Sequence, residues 1–447
     1  MSCCGKDSPQ DRVARAPLDM SGGSSVAPNQ TISKPVGEAV RPGAQPPLDT
    51  TAHFGSGFTR QEVRAARFRQ LKFARPYVAE HTGLLRMWGC RANVQSRNDG
   101  VDVVTSQYGD KPDQHGHYEG VQTCGYIKYC PCCARRIAEQ RRVEMNLLLS
   151  WARAQGYVVQ MMTLTARHGI DDTLLDLLKG IKAAKSALHR HDTYRRKIKP
   201  FIVGTVTGFE IVGGGANGWH PHFHVIVITT EQVDLDQLKG PWLASLRGKG
   251  LDGTGAGWRV QDASHAGEYV AKWGAGEEMA LTDKKRGRKG GLTPFELLAS
   301  ACEDNDRQSL ALWIEYLKAT PQIQVLRWSN GLKALAGVDD ISDADAAKNE
   351  KQDEQVETGR ANIPHGSWKK VSGGKGLRDR RAELLDIAER EGAEAAATAA
   401  IDLGDQDTEE IVELLEVVEQ DETWSPRPGG LAAAALAAIR PPPGQGP

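Results

Sequence analysis

Three histidines within five positions precede an apolar run in Trp219-His220-Pro221-His222-Phe223-His224-Val225-Ile226-Val227-Ile228. In a strand alternate residues face one side, so His222 and His224 project together while Phe223, Val225 and Val227 turn into apolar packing. Two imidazoles on one face of a stiff strand suit a divalent metal ion. His220 shares their parity, but Pro221 lacks an N–H and marks the strand's entry, which ranks His220 below the pair. The competing reading is a solvated polar strand face, which serves for one histidine better than for three. The glycine-rich segment Gly213 to Gly218 contains Asn217-Gly218, a hairpin signal, and separates this strand from another over 201–212. A hairpin centred near Gly215 or Ala216 brings Glu210 within about a residue of His222 across the ladder, supplying a third ligand. A His-His-carboxylate set with open positions suits Mg²⁺ or Mn²⁺ in phosphoryl chemistry.

The cysteines make a second constellation. Cys124-Gly125, then Cys130-Pro131-Cys132-Cys133, have the knuckle form of a zinc ligand pair, and Cys90 completes four thiolates as Cys90, Cys124, Cys130 and Cys133. A tetrahedral Zn²⁺ there would staple a stretch, 84–133, too irregular to build a core. Cys132 is an alternative to Cys130 or Cys133, His115 and His117 are spare donors, and reduced buried thiols are the metal-free reading. The polar N-terminus has no apolar signal core, so disulfides and secretion are disfavoured and a cytoplasmic protein is expected. No stretch reaches the roughly 20 apolar residues of a membrane span.

The third constellation is Glu268-Tyr269-Val270-Ala271-Lys272-Trp273. On a helix Tyr269 and Lys272 share a face, so an ammonium lies near the phenol. A tyrosine, with an ordinary pKa near 10, becomes a useful nucleophile when a cation or base favours its anion. Alone, this run reads as an ordinary amphipathic helix.

Taken together, Met162-Thr163-Leu164-Thr165, His222-Phe223-His224 and Tyr269-Val270-Ala271-Lys272 resemble, in order and spacing, the three motifs of the HUH endonuclease superfamily. They are most similar to the rolling-circle replication initiators, or Rep proteins, of bacterial plasmids. Further runs, Gly290 to Leu298, Leu312-Trp313-Ile314-Glu315-Tyr316 and Arg327 to Leu332, look like the actinobacterial branch, whose members carry a similar cysteine run. The resemblance covers about 85 to 335. It implies a sequence-specific nick in single-stranded origin DNA. Tyr269 becomes linked to the 5′ phosphate and a 3′ hydroxyl is freed as primer, with Lys272 assisting by charge. His222, His224 and Glu210 hold the metal, and Thr163 and Thr165 of the first motif contact DNA. Trp273 stands where some relatives have a second tyrosine, so termination falls to a glutamate activating water, Glu268 or Glu277. No G-x-x-x-x-G-K-[ST] run occurs, so no nucleotide cofactor is expected and a separate host helicase, with the host replication polymerase, must serve as partner. A relaxase or transposase of the same superfamily and a non-catalytic zinc-containing DNA-binding regulator are the rival readings.

The pattern of elements carrying these motifs predicts an α+β protein with a central antiparallel sheet and flanking helices, which the resemblance implies is the HUH endonuclease fold. Strands are expected over 157–165, 201–212 and 222–229, and helices over about 60–77, 134–153, 171–190 (capped by Asp171 or Asp172), 231–247 and 264–273. The basic helix over 60–77 suits either phosphates or a solvated face. Lys284, Lys285, Arg286, Arg288 and Lys289 suit a DNA backbone. Four regions are expected: a disordered arm, 1–54; a basic helix and zinc segment, 55–150; the nicking unit, 151–338; and an acidic, partly helical tail without its own core, 339–447. The formal net charge of −1 over 447 residues conceals a split. From Asp339 onward 24 acidic and 12 basic residues give −12, leaving 33 acidic and 44 basic, +11, before it. A basic body suggests a polyanionic partner.

Overall fold

The computed structural model describes residues 59–108, 113–263, 291–348, 355–373 and 379–403. The expectations for 1–54, for Glu268, Tyr269, Lys272 and Glu277, for Lys284, Lys285, Arg286, Arg288 and Lys289, and for the acidic helix after Thr408 lie outside the described residues.

A five-stranded antiparallel sheet in the order β6-β3-β5-β4-β7 carries the histidines. Its strands are β3 (Val158–Thr165), β4 (Ile202–Gly215), β5 (Gly218–Thr229), β6 (Trp258–Asp262) and β7 (Leu326–Trp328). The central β5 is rich in β-branched residues and buried on both faces, as a strand covered on either side should be. Period-two alternation divides its faces. Ile226 and Ile228 join Met161 and Val206 under Met145, Leu148, Leu149 and Ala152 of the helix α2 (Pro131–Ala154). Phe223, Val225 and Val227 join Phe209, Ile211 and the apolar stripe of α3 (Leu174–Arg190) in the larger core. The cap of α3 is Thr173, whose hydroxyl accepts from the Asp176 amide, and not Asp171 or Asp172. Asp172 instead accepts from the Gly169 amide in the preceding turn. The helix expected over 231–247 is shorter: a 3₁₀ turn, Leu235–Leu238, leads into α4 (Lys239–Arg247).

The β4–β5 hairpin turns at Ala216-Asn217, with Gly218 at φ 73°. A left-handed residue directly after such a turn is the device that returns the chain into register. A side chain at Gly213 would overlap the Trp219 ring, so that glycine lets the indole lie across the hairpin's end.

The segment over 84–133 is not irregular throughout. Residues Val101–Tyr108 (β1) and His115–Glu119 (β2) form a hairpin, completed by Gln355–Ile363 (β8) into a second sheet in the order β2-β1-β8. This overturns the expectation that everything beyond Asp339 is a tail with no core of its own. Between 355 and 403 lie β8 and the helices His365–Gly373 and Arg380–Glu391, with Trp368, Leu384, Ala388, Ala396 and Ala400 fully or nearly fully buried. The tail reading failed because alanine-rich, acidic composition resembles a linker, whereas here alanines permit close helix packing and the acids find fixed partners.

Those partners are on α1 (Arg60–Thr82), which neither tracks phosphates with these residues nor presents a merely solvated face. Arg64 pairs with Asp386 at 2.6 Å and with Glu389, and Arg69 pairs with Glu303 at 2.7 Å. The helix outlasts its expected end at 77 because Pro76 is tolerated within it, and it stops where Gly83 turns left-handed at φ 71°. Among the described residues no helix is long and apolar enough to cross a membrane.

The second sheet yields a test. Trp368 is 1% exposed, donates from Nε1 to the Ala92 carbonyl at 2.7 Å and meets Tyr118 edge-on. Trp368→Ala should therefore destabilise the protein by about 3–5 kcal/mol in denaturant titration, where a core-less tail would register no change.

Candidate metal centres

Register places the first centre. Glu210 stands directly opposite His222 across β4–β5, and Gly208 opposite His224, so the Glu210 carboxylate reaches both imidazoles. Glu210 Oε2 lies 3.1 Å from His222 Nε2 and 3.1 Å from His224 Nε2. Donor atoms about 2.1 Å from an octahedral ion are roughly 3 Å apart at right angles, so the Glu210 oxygen and each imidazole fit adjacent positions on such an ion, and all three donor atoms lie within 4.8 Å of one another.

Burial disfavours the Glu210 carboxylate, but hydrogen bonds from His222 and His224, and their positive field, outweigh it and hold its pKa well below the usual range. It therefore stays ionised and ready to bind a cation. His224 Nδ1 lies 3.1 Å from Thr163 Oγ1, its cross-strand neighbour on β3. A hydroxyl both donates and accepts. Without metal, Thr163 can donate to Nδ1 while Nε2–H faces Glu210; with metal on Nε2, Nδ1–H donates to Thr163 instead. Thr163 was expected among the DNA-contacting residues; its hydroxyl is engaged with a metal-site imidazole. Thr165 is the cross-strand neighbour of His222.

His220 stands apart from this trio, beside His168, a residue that sequence reasoning missed. His168 Nδ1 donates to the Asn217 carbonyl at 2.8 Å, so its Nε2 accepts from His220 Nδ1. No spacing rule singles out His168, because 52 positions separate it from His220. Glu315 was also missed as a positioning residue. Its two oxygens accept from the Leu174 amide and Trp219 Nε1, both at 2.8 Å, tying the start of α3 to the hairpin's end.

The second centre gathers the four expected cysteines. Cys90 Sγ lies 3.6 Å from Cys130 Sγ and 3.5 Å from Cys133 Sγ, and Cys124 Sγ lies 3.6 Å from Cys133 Sγ. Sulfurs about 2.3 Å from a tetrahedral zinc are roughly 3.8 Å apart, so the cluster fits that ion and needs little contraction or expansion. Cys132 and the two histidines of β2 stand outside the set. All four thiols are buried and none is in a disulfide. Cys130 caps α2, its sulfur accepting from the Cys133 amide, and Pro131 occupies the first turn, where a missing N–H costs nothing. Hydrogen bonds from Cys124, Cys130 and Cys90 pull the Cys133 thiol well below its ordinary pKa, and the charge of Arg91 acts the same way. Buried Arg75 donates to the Cys90 carbonyl at 2.7 Å. Cations of this kind offset the negative charge that a four-thiolate zinc carries.

Two curated proteins are similar to the chain. Protein rep of Streptomyces lividans is 27% identical over 296 residues, covering 49% of this chain and 65% of that protein. A neomycin resistance protein of Streptomyces cyanogenus is 26% identical over 135 residues, covering 24% of this chain and 31% of that one. The chain thus matches less than two thirds of either relative's length. No family model matches, and no solved structure matches.

Both centres make predictions. Thr163→Val keeps the strand but removes the partner of Nδ1, and should weaken Mn²⁺ affinity by about 10–100-fold in calorimetric titration, with Glu210 still ionised at mildly acidic pH. At the cysteines, a structural zinc contributes on the order of 10 kcal/mol. Cys90→Ser should abolish stoichiometric zinc in elemental analysis and lower the thermal midpoint, while Cys132→Ser should leave zinc content unchanged.

Proposed function

We propose that this chain, similar to an actinobacterial Rep-type protein, is a plasmid replication initiator that nicks single-stranded origin DNA by metal-dependent transesterification. The observation that carries the reading is the convergence of His222 Nε2 and His224 Nε2 on one Glu210 oxygen, 3.1 Å from each. A divalent ion held there, Mg²⁺ or Mn²⁺, would supply Lewis acidity to a phosphodiester oxygen.

The chain's own residues take the remaining roles. Tyr269 loses its phenolic proton and attacks phosphorus; the bond from its oxygen to phosphorus forms as the bond to the 3′ oxygen breaks. That oxygen takes up a proton and becomes the primer hydroxyl. Lys272 favours the phenolate by charge, and Glu268 activates water when the round is closed. Glu210 binds the cation and orients the imidazoles, and Thr163 orients His224. In this reading residues 151–338 form the nicking unit in an HUH endonuclease fold, and Lys284, Lys285, Arg286, Arg288 and Lys289 hold the DNA backbone. Zinc at Cys90, Cys124, Cys130 and Cys133 is structural, and host helicase and polymerase extend the nick.

The test is a nicking assay on supercoiled plasmid carrying the cognate origin, with Mn²⁺. Wild type should yield a covalent protein–DNA adduct mapping to Tyr269. Tyr269→Phe should lose at least about 10³-fold in nicking rate, and removing the metal with chelator should do the same. Undiminished cutting by Tyr269→Phe would discard the nucleophile assignment. Wild type that binds the origin but never cuts would favour a zinc-containing DNA-binding regulator.

A further inference from the structure

The face of the sheet opposite the metal centre carries a concentration of positive charge that the nicking chemistry does not use. Between Lys179 and Lys199 there are eight Lys and Arg residues and a single acid, Asp192. Arg190, Arg195, Arg196, Lys197 and Lys199 are all exposed. Carboxylates touch this run only loosely: Arg196 lies 3.7 Å from Asp192 and Lys179 lies 4.0 Å from Asp176, with side chains more than two thirds exposed. Among the described residues the other six have no carboxylate partner.

The charge continues onto the sheet. Lys185, on the inner side of α3, donates to Thr207 Oγ1 at 3.2 Å and lies over the Phe223 ring. Arg327 of β7 is the register partner of Thr207, so a second cation adjoins Lys185. Burial, and then the charge of Arg327, push the Lys185 pKa down to about 8. Burial, then Lys185 and Arg327, push His189 down to about 4. Cations here crowd one another instead of being paired, which stores repulsion that an anion would relieve.

We propose that the outer half of α3 and the turn after it form a docking surface for the phosphate backbone of duplex DNA. Three observations choose this partner. The cations from Lys179 to Arg190 extend over twelve residues of helix, eleven steps or roughly 16 Å, which is too long for one free phosphate and suits a run of backbone phosphates. Their scaffold is rigid: Tyr194 stacks on His189 with centroids 4.7 Å apart, and buried Ile198 pins the π-helical turn Tyr194–Ile198. Single-strand grooves rely on aromatic rings open to stacking bases, whereas Tyr194 is half-buried and already stacked. A membrane surface would want apolar anchors beside the charge, and Ile198 points inward.

The geometry also relates the surface to the metal centre. The turn leads directly into β4 at Ile202, eight residues before Glu210, which is at most roughly 27 Å along a strand. Duplex held there would therefore lie at most about eight base pairs from the phosphate being processed, at 3.4 Å per step. The choice of DNA as partner rests on the proposed function; the existence of a polyanion surface does not.

The experiment uses the full chain and a labelled duplex of about 24 base pairs without the nick sequence, followed by anisotropy between about 50 and 200 mM salt. The variant is Arg195→Ala/Arg196→Ala/Lys197→Ala, all exposed and none of them a member of either metal centre. Duplex affinity should fall at least tenfold and the slope of log affinity against log salt should become shallower by about 2–3, at 0.9 per phosphate contact. Cleavage of a single-stranded origin oligonucleotide with Mn²⁺ should be unchanged. Unaltered duplex affinity and slope would overturn the proposal, as would tighter binding of wild type to duplex RNA or to phosphatidylglycerol vesicles. If wild type never nicks but the variant still loses duplex binding, the nicking reading fails and this one stands.

Discussion

The alignment of Glu210 with His222 across a single hairpin is the constraint on which the rest of the molecule depends. Side chains on a strand alternate with period two, so a slip of one residue would turn Glu210 away and bury a carboxylate in the packing of α3. The turn at Ala216-Asn217 and the left-handed Gly218 hold the register from one end. Glu315 holds it from outside, through the Trp219 indole. The apolar residues Val225 to Ile228 anchor it from the other end, buried between helices on both faces. Three kinds of force thus converge on one pairing: backbone geometry, a charge-assisted hydrogen bond and burial.

One helix connects the two candidate metal centres mechanically. Residue Cys130 caps the start of α2 and belongs to the thiolate cluster, while Met145, Leu148, Leu149 and Ala152, near the other end, form the floor beneath β3 and β5. Twenty-four residues of helix span roughly 36 Å. A zinc ion at the cysteines would therefore fix the N-terminus of the element on which the histidine-bearing sheet rests. Helix α1 closes the same assembly by ion pairs to residues more than 300 positions away, such as Arg64 with Asp386. Such long-range pairs give no local support to α1; they contribute once the chain has already folded.

The sheet separates two kinds of electrostatics. On one face an ionised carboxylate and two imidazoles make a compact candidate cation site. On the other, Lys185 of α3 and Arg327 of β7 adjoin each other, and carboxylates touch the basic run only loosely. Strand alternation isolates them: Glu210 and Thr207 point to opposite faces although only three positions apart, so the positive face does not compete for the carboxylate.

How much of this was legible in the chain alone depended on the range of each interaction. That His222 and His224 share a face, that Glu210 comes near them and that Cys124, Cys130 and Cys133 cluster was readable because parity within a strand, a short hairpin and ligand spacing are local rules; the side Glu210 faces and the arrival of Cys90 were settled by register and packing. The strands β3, β4 and β5 and the helices α2 and α3 followed from periodicity for the same reason. His168 and Glu315 were not readable as site residues, since they reach the hairpin only through tertiary packing. The basic charge of α1 was visible, but its use was not: identical composition serves for phosphates or for ion pairs, and Asp386 and Glu389 decide between them only once β8 has docked against β1. The residues 355–403 showed a linker's composition, and composition reports what a segment can bury by itself. It does not report what the segment can cover on another, and the unpaired edge of β1 supplied the partner that turned an acidic, alanine-rich stretch into core.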